Sequence, residues 1–328
     1  MTPAGKSAVP PTPAGKSAAA DACSTTVHLA FGGDTNTANS ASRVLAAGMG
    51  SAGTVLARAD LAMVNLETVI ADDRTGLTPQ PKQYNFIAPI RLLTVLAHAG
   101  VDVVTMANNH GLDYGQLGLT RTLAARATSK LQVIGAGTTA TAAFAPYRTT
   151  VRGRGVAFFG ATDVMDDGLA WGATADRPGL ASIKTASGFQ TLKDAVRSDR
   201  SQNPCDVIVV YLHAGVERQS CPTARQRTVA ADLAAAGATA VLMSHAHVVL
   251  PGAIVGHTAV DYGLGNFVFS ATSAVTAQTG VLQIDVPPAG PPRETWQPGH
   301  IVNGVPAMLT GSSATAARAQ WNRSLQRC

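Results

Sequence analysis

Beyond residue 25 the chain alternates short runs of Val, Leu, Ile and Ala with stretches of helical composition, and nothing else restricts its fold as much. Strand-like runs fall at 27–31, 61–64, 101–105, 132–135, 156–161, 207–212, 240–243, 253–255, 258–262 and 280–286. Helical stretches separate them, most clearly at 41–59, 90–99, 115–129, 188–198 and 223–236, the last stopping at Gly237. Such alternation predicts an α/β architecture with helices covering the sheet faces. The composition supplies the core: 46% of residues are hydrophobic and only 14% charged, which excludes a disordered chain. No run of about 18 uncharged apolar residues is present, the length a bilayer span requires.

The first residues do not share this pattern. Residues 2–8 and 12–18 both read TPAGKSA, a Pro/Ala/Gly/Ser composition that buries nothing and reads as a tether. Residues 1–24 are expected to form a disordered tail and 25–328 a single folded domain. The tail has no apolar segment of the signal-peptide kind. The expected setting is extracytoplasmic or cell-surface, with the tether reaching a membrane-bound partner. A net charge of +5 is modest and dispersed, so no nucleic-acid partner is expected.

Four cysteines, Cys23, Cys205, Cys221 and Cys328, lack metal-ligand spacing and suggest two disulfides with three connectivities open. Cys23 and Cys205 each precede a strand-like run, which in parallel neighbours puts both at the N-terminal edge of a sheet. Cys221 lies past the opposite end, about 20 Å away along a strand. Cys23–Cys205 and Cys221–Cys328 are therefore the expected pairs.

In open α/β sheets ligands gather beyond the carboxyl ends of the strands, and the polar residues of this chain obey that rule. Gly32-Gly33-Asp34-Thr35-Asn36 follows the first run and Asn65-Leu66-Glu67 the second; Asn108-Asn109-His110 follows the third. His213 closes run 207–212, with Glu217 shortly after, and Ser244-His245-Ala246-His247 follows run 240–243. A lone Asp in such a place caps a helix, and a lone His is an ordinary loop residue. Five strand ends together deliver the oxygen and imidazole ligands of divalent metals, with four of the eight histidines among them. On an extended strand exit His245 and His247 share one face, and Glu67 is suited to bridging two cations about 3.5–4 Å apart. A GxSxG elbow, a P-loop and a strand-following GxGxxG are all absent, which disfavours serine hydrolases, P-loop NTPases and dinucleotide enzymes.

The ordered set FGGD (31–34), NLE (65–67), YNF (84–86), ANNH (107–110) with Asp113, HAGVE (213–217), SHAHV (244–248) and YGLGNF (262–267) resembles the CapA family of capsule and poly-γ-glutamate synthesis, a branch of the calcineurin-like metallophosphoesterases. The resemblance runs from about residue 26 to 270. It implies a four-layer α-β-β-α sandwich of two mostly mixed sheets, with a site for two divalent metals (Mn, Zn or Fe) at the strand ends. By position, one metal would take Asp34, Asn36, Glu67 and His247, and the other Glu67, Asn109, His213 and His245. Asn36 stands where the superfamily usually has a histidine, and Glu67 where it has a bridging aspartate. His110 would be the general acid.

Around that set, Lys82, Tyr84 and Glu217 are expected in loops at the mouth, touching substrate, and Asn266 behind the ligands. Asp60 and Asp113 are expected to position the surrounding shell or cap helices. His28, His98, His257 and His300 fit no cluster. Residues 271–328 are expected to add a strand or two and a helix over 314–325. The site chemistry suits hydrolysis or transfer at an amide or a phosphoester, and the resemblance points to γ-glutamyl polymer at the cell surface. Two other readings stay open: a non-catalytic accessory protein that binds an anionic capsule polymer, and a generic phosphodiesterase.

Overall fold

A computed structural model of the chain describes residues 23–166, 168–324 and 328. The repeated tail and the expected end of the last helix at 325 lie outside the described residues.

Two sheets stack face to face. The eight-stranded sheet has a parallel centre of Val27–Thr35, Leu61–Leu66, Val103–Thr105 and Gln132–Ile134. Beyond Val27–Thr35 it continues with antiparallel Gln278–Val286, Arg293–Val302 and Val305–Met308, and Asn266–Val268 pairs in parallel past the end of the first strand. The six-stranded sheet places Arg154–Thr162, Val207–Ala214, Ala240–His245 and Thr258–Asp261 in parallel, between antiparallel edges Tyr147–Val151 and Gly252–Val255.

Strands covered on both faces need near-continuous apolar runs, and alternate residues divide between two cores. Leu29, Phe31, Met63, Phe158, Val209 and Leu242 fill the space between the sheets. Ala30, Val64 and Val104 face the helices Gly50–Leu56, Arg91–His98 and Gly115–Arg126, while Ile208, Val210 and Val241 face Ala186–Gln202 and Ala224–Ala236. The result is the four-layer α-β-β-α arrangement.

Local chemistry explains most element ends. Thr223 and Gln226 form a reciprocal capping box at the start of Ala224–Ala236, and Gly237 closes it with φ +104°. The long helix expected over 41–59 is instead a 3-10 turn Asn39–Arg43 and two short helices, Val44–Ala47 and Gly50–Leu56. Gly48 and Gly50, with φ +68° and +49°, break it. After 271 the sheet gains Gln278–Val286, Arg293–Val302 and Val305–Met308, followed by the helix Gly311–Ser324. Both expected disulfides are present, Cys23–Cys205 and Cys221–Cys328, with Cα separations of 5.2 and 5.5 Å. Among the described residues no helix is long and apolar enough to cross a membrane.

Candidate metal centre

The first strand delivers Asp34 by breaking its own regularity. Its register against Leu61–Leu66 shifts between Phe31 and Asp34, a bulge at Gly32-Gly33 that re-aims the side chain. Both glycines are obligatory there. A Cβ on Gly33 would lie 1.9 Å from the Gly265 carbonyl, and one on Gly32 2.8 Å from the Phe267 ring. The second glycine-rich motif therefore crosses directly over the first, bonded by Asp34 N to Gly265 O at 2.9 Å. Tyr211, from the opposite sheet, pins the bulge by donating its hydroxyl to Gly32 O at 2.9 Å.

Around Asp34 the polar strand ends converge. Its Oδ1 accepts from Asn65 Nδ2 at 2.8 Å; its Oδ2 accepts from the His245 amide at 3.2 Å and lies 3.3 Å from His247 Nδ1. Ligand atoms of Asp34, Glu67 and His247 all lie within 4.8 Å of one another. Next to them His213 Nε2 meets Asn109 Oδ1 at 2.8 Å and His245 Nδ1 at 3.1 Å. The two groups adjoin through Asn65, whose Nδ2 also lies 3.1 Å from His213 Nδ1 and 3.5 Å from Glu67 Oε2. Asn266 Oδ1 holds His247 Nδ1 at 2.8 Å.

The extended exit expected for His245 and His247 does not occur. His245 has φ +104° and His247 +56°, so the chain coils at the strand end, and both rings still face the cluster, centroids 6.0 Å apart. Among the described residues six non-glycines adopt such left-handed φ. Arg152 and Asn303 do so in tight hairpin turns before a glycine. The other four, Asn39, Arg218, His245 and His247, all border the cluster or its cleft. Backbone strain is thus concentrated at this one place.

His110 faces the cluster from the side of Glu67, its Nε2 3.7 Å from Glu67 Oε1. Its Nδ1 meets Asp113 Oδ2 at 2.7 Å, and Phe86 stacks on its ring at 4.2 Å. Asn108 sets this loop: its Oδ1 accepts from His110 N and its Nδ2 reaches Asn65 Oδ1, both at 2.9 Å. An open cleft of about 310 Å³ lies above, bordered by His110, His247, Tyr84, Phe86, Glu217 and Phe269.

Tyr84 and Glu217 are exposed on this cleft, where the sequence put them. Lys82 is not. Its side chain is only 8% exposed and its ammonium pairs with Asp113 at 2.9 Å and Asp166 at 2.6 Å, so it belongs to the wall rather than the mouth. Asn36 is buried beside the cleft, with Oδ1 accepting from Ala38 N at 3.0 Å and Nδ2 without a partner. Asp60 lies at the other end of the sheet, bonded to His28 N and Arg152, and positions no part of the site. Asn65, Asn108 and Phe86 stand in the sequence motifs, but sequence reasoning gives them no role. The signal for Asn65 was its place two residues before Glu67, on the same face of a strand end.

The donor set fits divalent cations. Glu67 Oε1 is fully buried with no hydrogen-bond partner, a costly state for a polar atom that has nothing to bind. Burial lifts the Glu67 carboxyl well above its usual range, reinforced by the charges of Asp34 and Asp113. Burial would lift Asp34 too, but the His247 hydrogen bond and the charges of His213 and His247 hold it below the usual carboxylate range. Burial pushes the His213 imidazole well below its ordinary range and brings His245 to about 4, reinforced in each by a neighbouring imidazole. Burial alone would lower His247, yet its bond to Asp34 raises it. Imidazoles and carboxylates gathered at one buried place are the ligands that such ions take, exchanging protons for metal.

A two-sheet sandwich with Asp, Asn, Glu and His gathered at its strand ends defines a protein of the metallophosphoesterase-like class. The chain belongs, within it, to the family described as bacterial capsule synthesis protein PGA_cap, whose model matches residues 28–271. It is 31% identical over 220 residues to the PGA biosynthesis protein CapA of Bacillus subtilis (strain 168), covering 67% of this chain and 56% of that protein. It is 28% identical over 244 residues to the capsule biosynthesis protein CapA of Bacillus anthracis, covering 74% of this chain and 58% of that protein. The chain thus spans little more than half the length of these relatives. In fold it is similar to a hypothetical protein from Thermus thermophilus, with TM-score 0.50, 17% identity, and coverage of 82% of this chain and 99% of that one.

Proposed function

We infer that this chain is a metal-dependent enzyme that cuts or transfers at an amide or phosphoester bond in the metabolism of poly-γ-glutamate or a related cell-surface polymer. The observation that carries the reading is the pairing of an unsatisfied donor set with a facing proton-transfer group. Glu67 Oε1 is buried and unpartnered within the Asp34–Glu67–His247 triad, and His110, backed by Asp113, stands 3.7 Å from it. Asp34, Glu67 and His247 would hold one cation, with Asn36 beside them; Asn109, His213 and His245 would hold a second, shared through Glu67. When bound, a divalent cation of this kind (Mn, Zn or Fe) polarises the electrophile and makes a bound water more acidic.

The chain's own residues do the rest. Asp113 accepts at His110 Nδ1, which fixes the ring and leaves Nε2 facing the cleft. Burial lowers the His110 imidazole and Asp113 opposes the fall; it is the ring's place beside Glu67 that suits it to pass a proton to a leaving group. Phe86 covers one face of that ring and excludes water. Tyr84, Phe269 and Glu217 border the space where a substrate lies. The names of the CapA relatives support the polymer context, and two disulfides support an oxidising, extracytoplasmic location.

The test is turnover of a γ-glutamyl anilide and an aryl phosphodiester by metal-loaded protein and by His110→Ala. Release from either probe that collapses in the variant is expected. Metal retention with no turnover of any amide or phosphoester, polymer included, would overturn the enzymatic reading and leave a polymer-binding accessory protein.

A further inference from the structure

Lys82 is the buried cation nearest the site, and its surroundings are fully specified. It lies in the segment between the short strands Val69–Ile70 and Ile87–Ala88, which also carries Tyr84 and Phe86. Its ammonium has three protons to give. It donates to the Asn109 carbonyl, forms ion pairs with Asp113 Oδ1 at 2.9 Å and Asp166 Oδ2 at 2.6 Å, and stands 5.0 Å above the Trp171 ring.

Asp113 divides its two oxygens. Oδ1 takes Lys82, while Oδ2 takes His110 Nδ1 at 2.7 Å and the Phe86 amide at 2.5 Å. Two ion pairs and one hydrogen bond therefore link Asp166 through Lys82 and Asp113 to His110. Its two ends belong to different halves of the sandwich. Asp166 and Trp171 follow the strand Arg154–Thr162 of the six-stranded sheet, and His110 follows Val103–Thr105 of the eight-stranded one. A lysine held this far from water costs several kcal/mol unless its partners offset the loss, so the cage is no surface accident.

We propose that Lys82 is a positioning residue for His110. It keeps Asp113 in the one orientation that accepts His110 Nδ1–H, and it makes that alignment depend on Asp166 and Trp171, which follow a strand of the other sheet. The proposal rests on the reading of His110 as the proton-transfer group, but its principal readout does not need a substrate.

The hydrogen bond can be watched in the whole chain with ¹⁵N-labelled histidine. The His110 Nδ1–H resonance is the downfield imidazole signal that disappears in His110→Gln. In Lys82→Met the proposal expects this proton to exchange with solvent about tenfold faster or more, the equivalent of one charge-assisted hydrogen bond. Lys82→Arg, which keeps the charge, is expected to restore it. An unchanged signal in Lys82→Met overturns the proposal and leaves Lys82 a tie between loops. Should Lys82→Met not fold, Asp166→Asn at its partly exposed position gives the same reading: faster exchange supports the proposal and unchanged exchange overturns it. With a turned-over probe, Lys82→Met is expected to lower kcat and spare KM. If wild-type protein turns over no probe, the enzymatic reading fails while the exchange measurement still decides the role of Lys82.

Discussion

The two ends of the sandwich bury charge in opposite ways. At the N-terminal edge Arg154, 8% exposed, satisfies four carbonyls from three parts of the chain: Thr25, Cys205, Val286 and Pro287, at 2.8–3.3 Å. The Cys23–Cys205 disulfide ties the same region. At the carboxyl edge Glu67 Oε1 and Asn36 Nδ2 are buried without partners, three imidazoles crowd against one another, and four non-glycine residues hold left-handed backbone. Arg154 is satisfied and serves stability; Glu67 and Asn36 are left short of partners, as a site that must bind something is. The contrast is open to attack at both edges.

The largest effect is expected where proton transfer is removed. His110→Ala should lower turnover by about 10²–10⁴-fold while thermal stability and metal content stay as in the wild type; a matching loss of metal would make the ring structural. Next come the disulfides. Cys23–Cys205 and Cys221–Cys328 close 182- and 107-residue separations, so reduction should cost about 4 kcal/mol per bridge. Urea midpoints with and without reductant measure it, and equal midpoints would mean that the bridges contribute nothing. Arg154→Met strands its four carbonyls and should cost about 3 kcal/mol, read as a lower urea midpoint at unchanged m. Its metal content should be untouched, because the edge it serves is not the one proposed to bind metal.

The smallest effect lies between the sheets. Burial pushes the Asp261 carboxyl up to about 7, and burial with the Asp261 charge pushes Glu294 to about 9. Each has an oxygen without a hydrogen-bond partner. A carboxyl raised in the folded state holds a proton there that the unfolded chain releases, so its contribution is complete below the ordinary carboxylate range. That contribution is lost as pH rises through about 7 and then about 9. Melting temperatures from pH 4 to 10 should therefore fall on the alkaline side, and Asp261→Asn should flatten the part near neutrality. A parallel curve for the variant would contradict this.

How legible these regions were in the sequence follows from what holds each in place. The strand ends could be read because every candidate ligand lies within a few residues of the end of an apolar run, and a parallel sheet aligns such ends whatever the loops do. The disulfides followed from the same alignment. Lys82 could not be read: the segment around it has no periodicity, and only tertiary contact with Asp113 and Asp166 decides that it turns inward. The coil at His245 and His247 was hidden because nothing in a His-x-His sequence announces positive φ. Arg293–Val302 was hidden because Pro298 argues against a strand, although its pairing with Gly280 continues the ladder. The break in the first helical stretch was written in Gly48 and Gly50 and was outweighed by the apolar pattern around them.

Elemental analysis of metal bound by protein purified without chelator, compared with His247→Ala, tests the central claim most directly. Bound transition metal is expected in the wild type, up to two equivalents, with a clear loss in the variant. Protein that binds none, even after soaking with manganese or zinc, would contradict it.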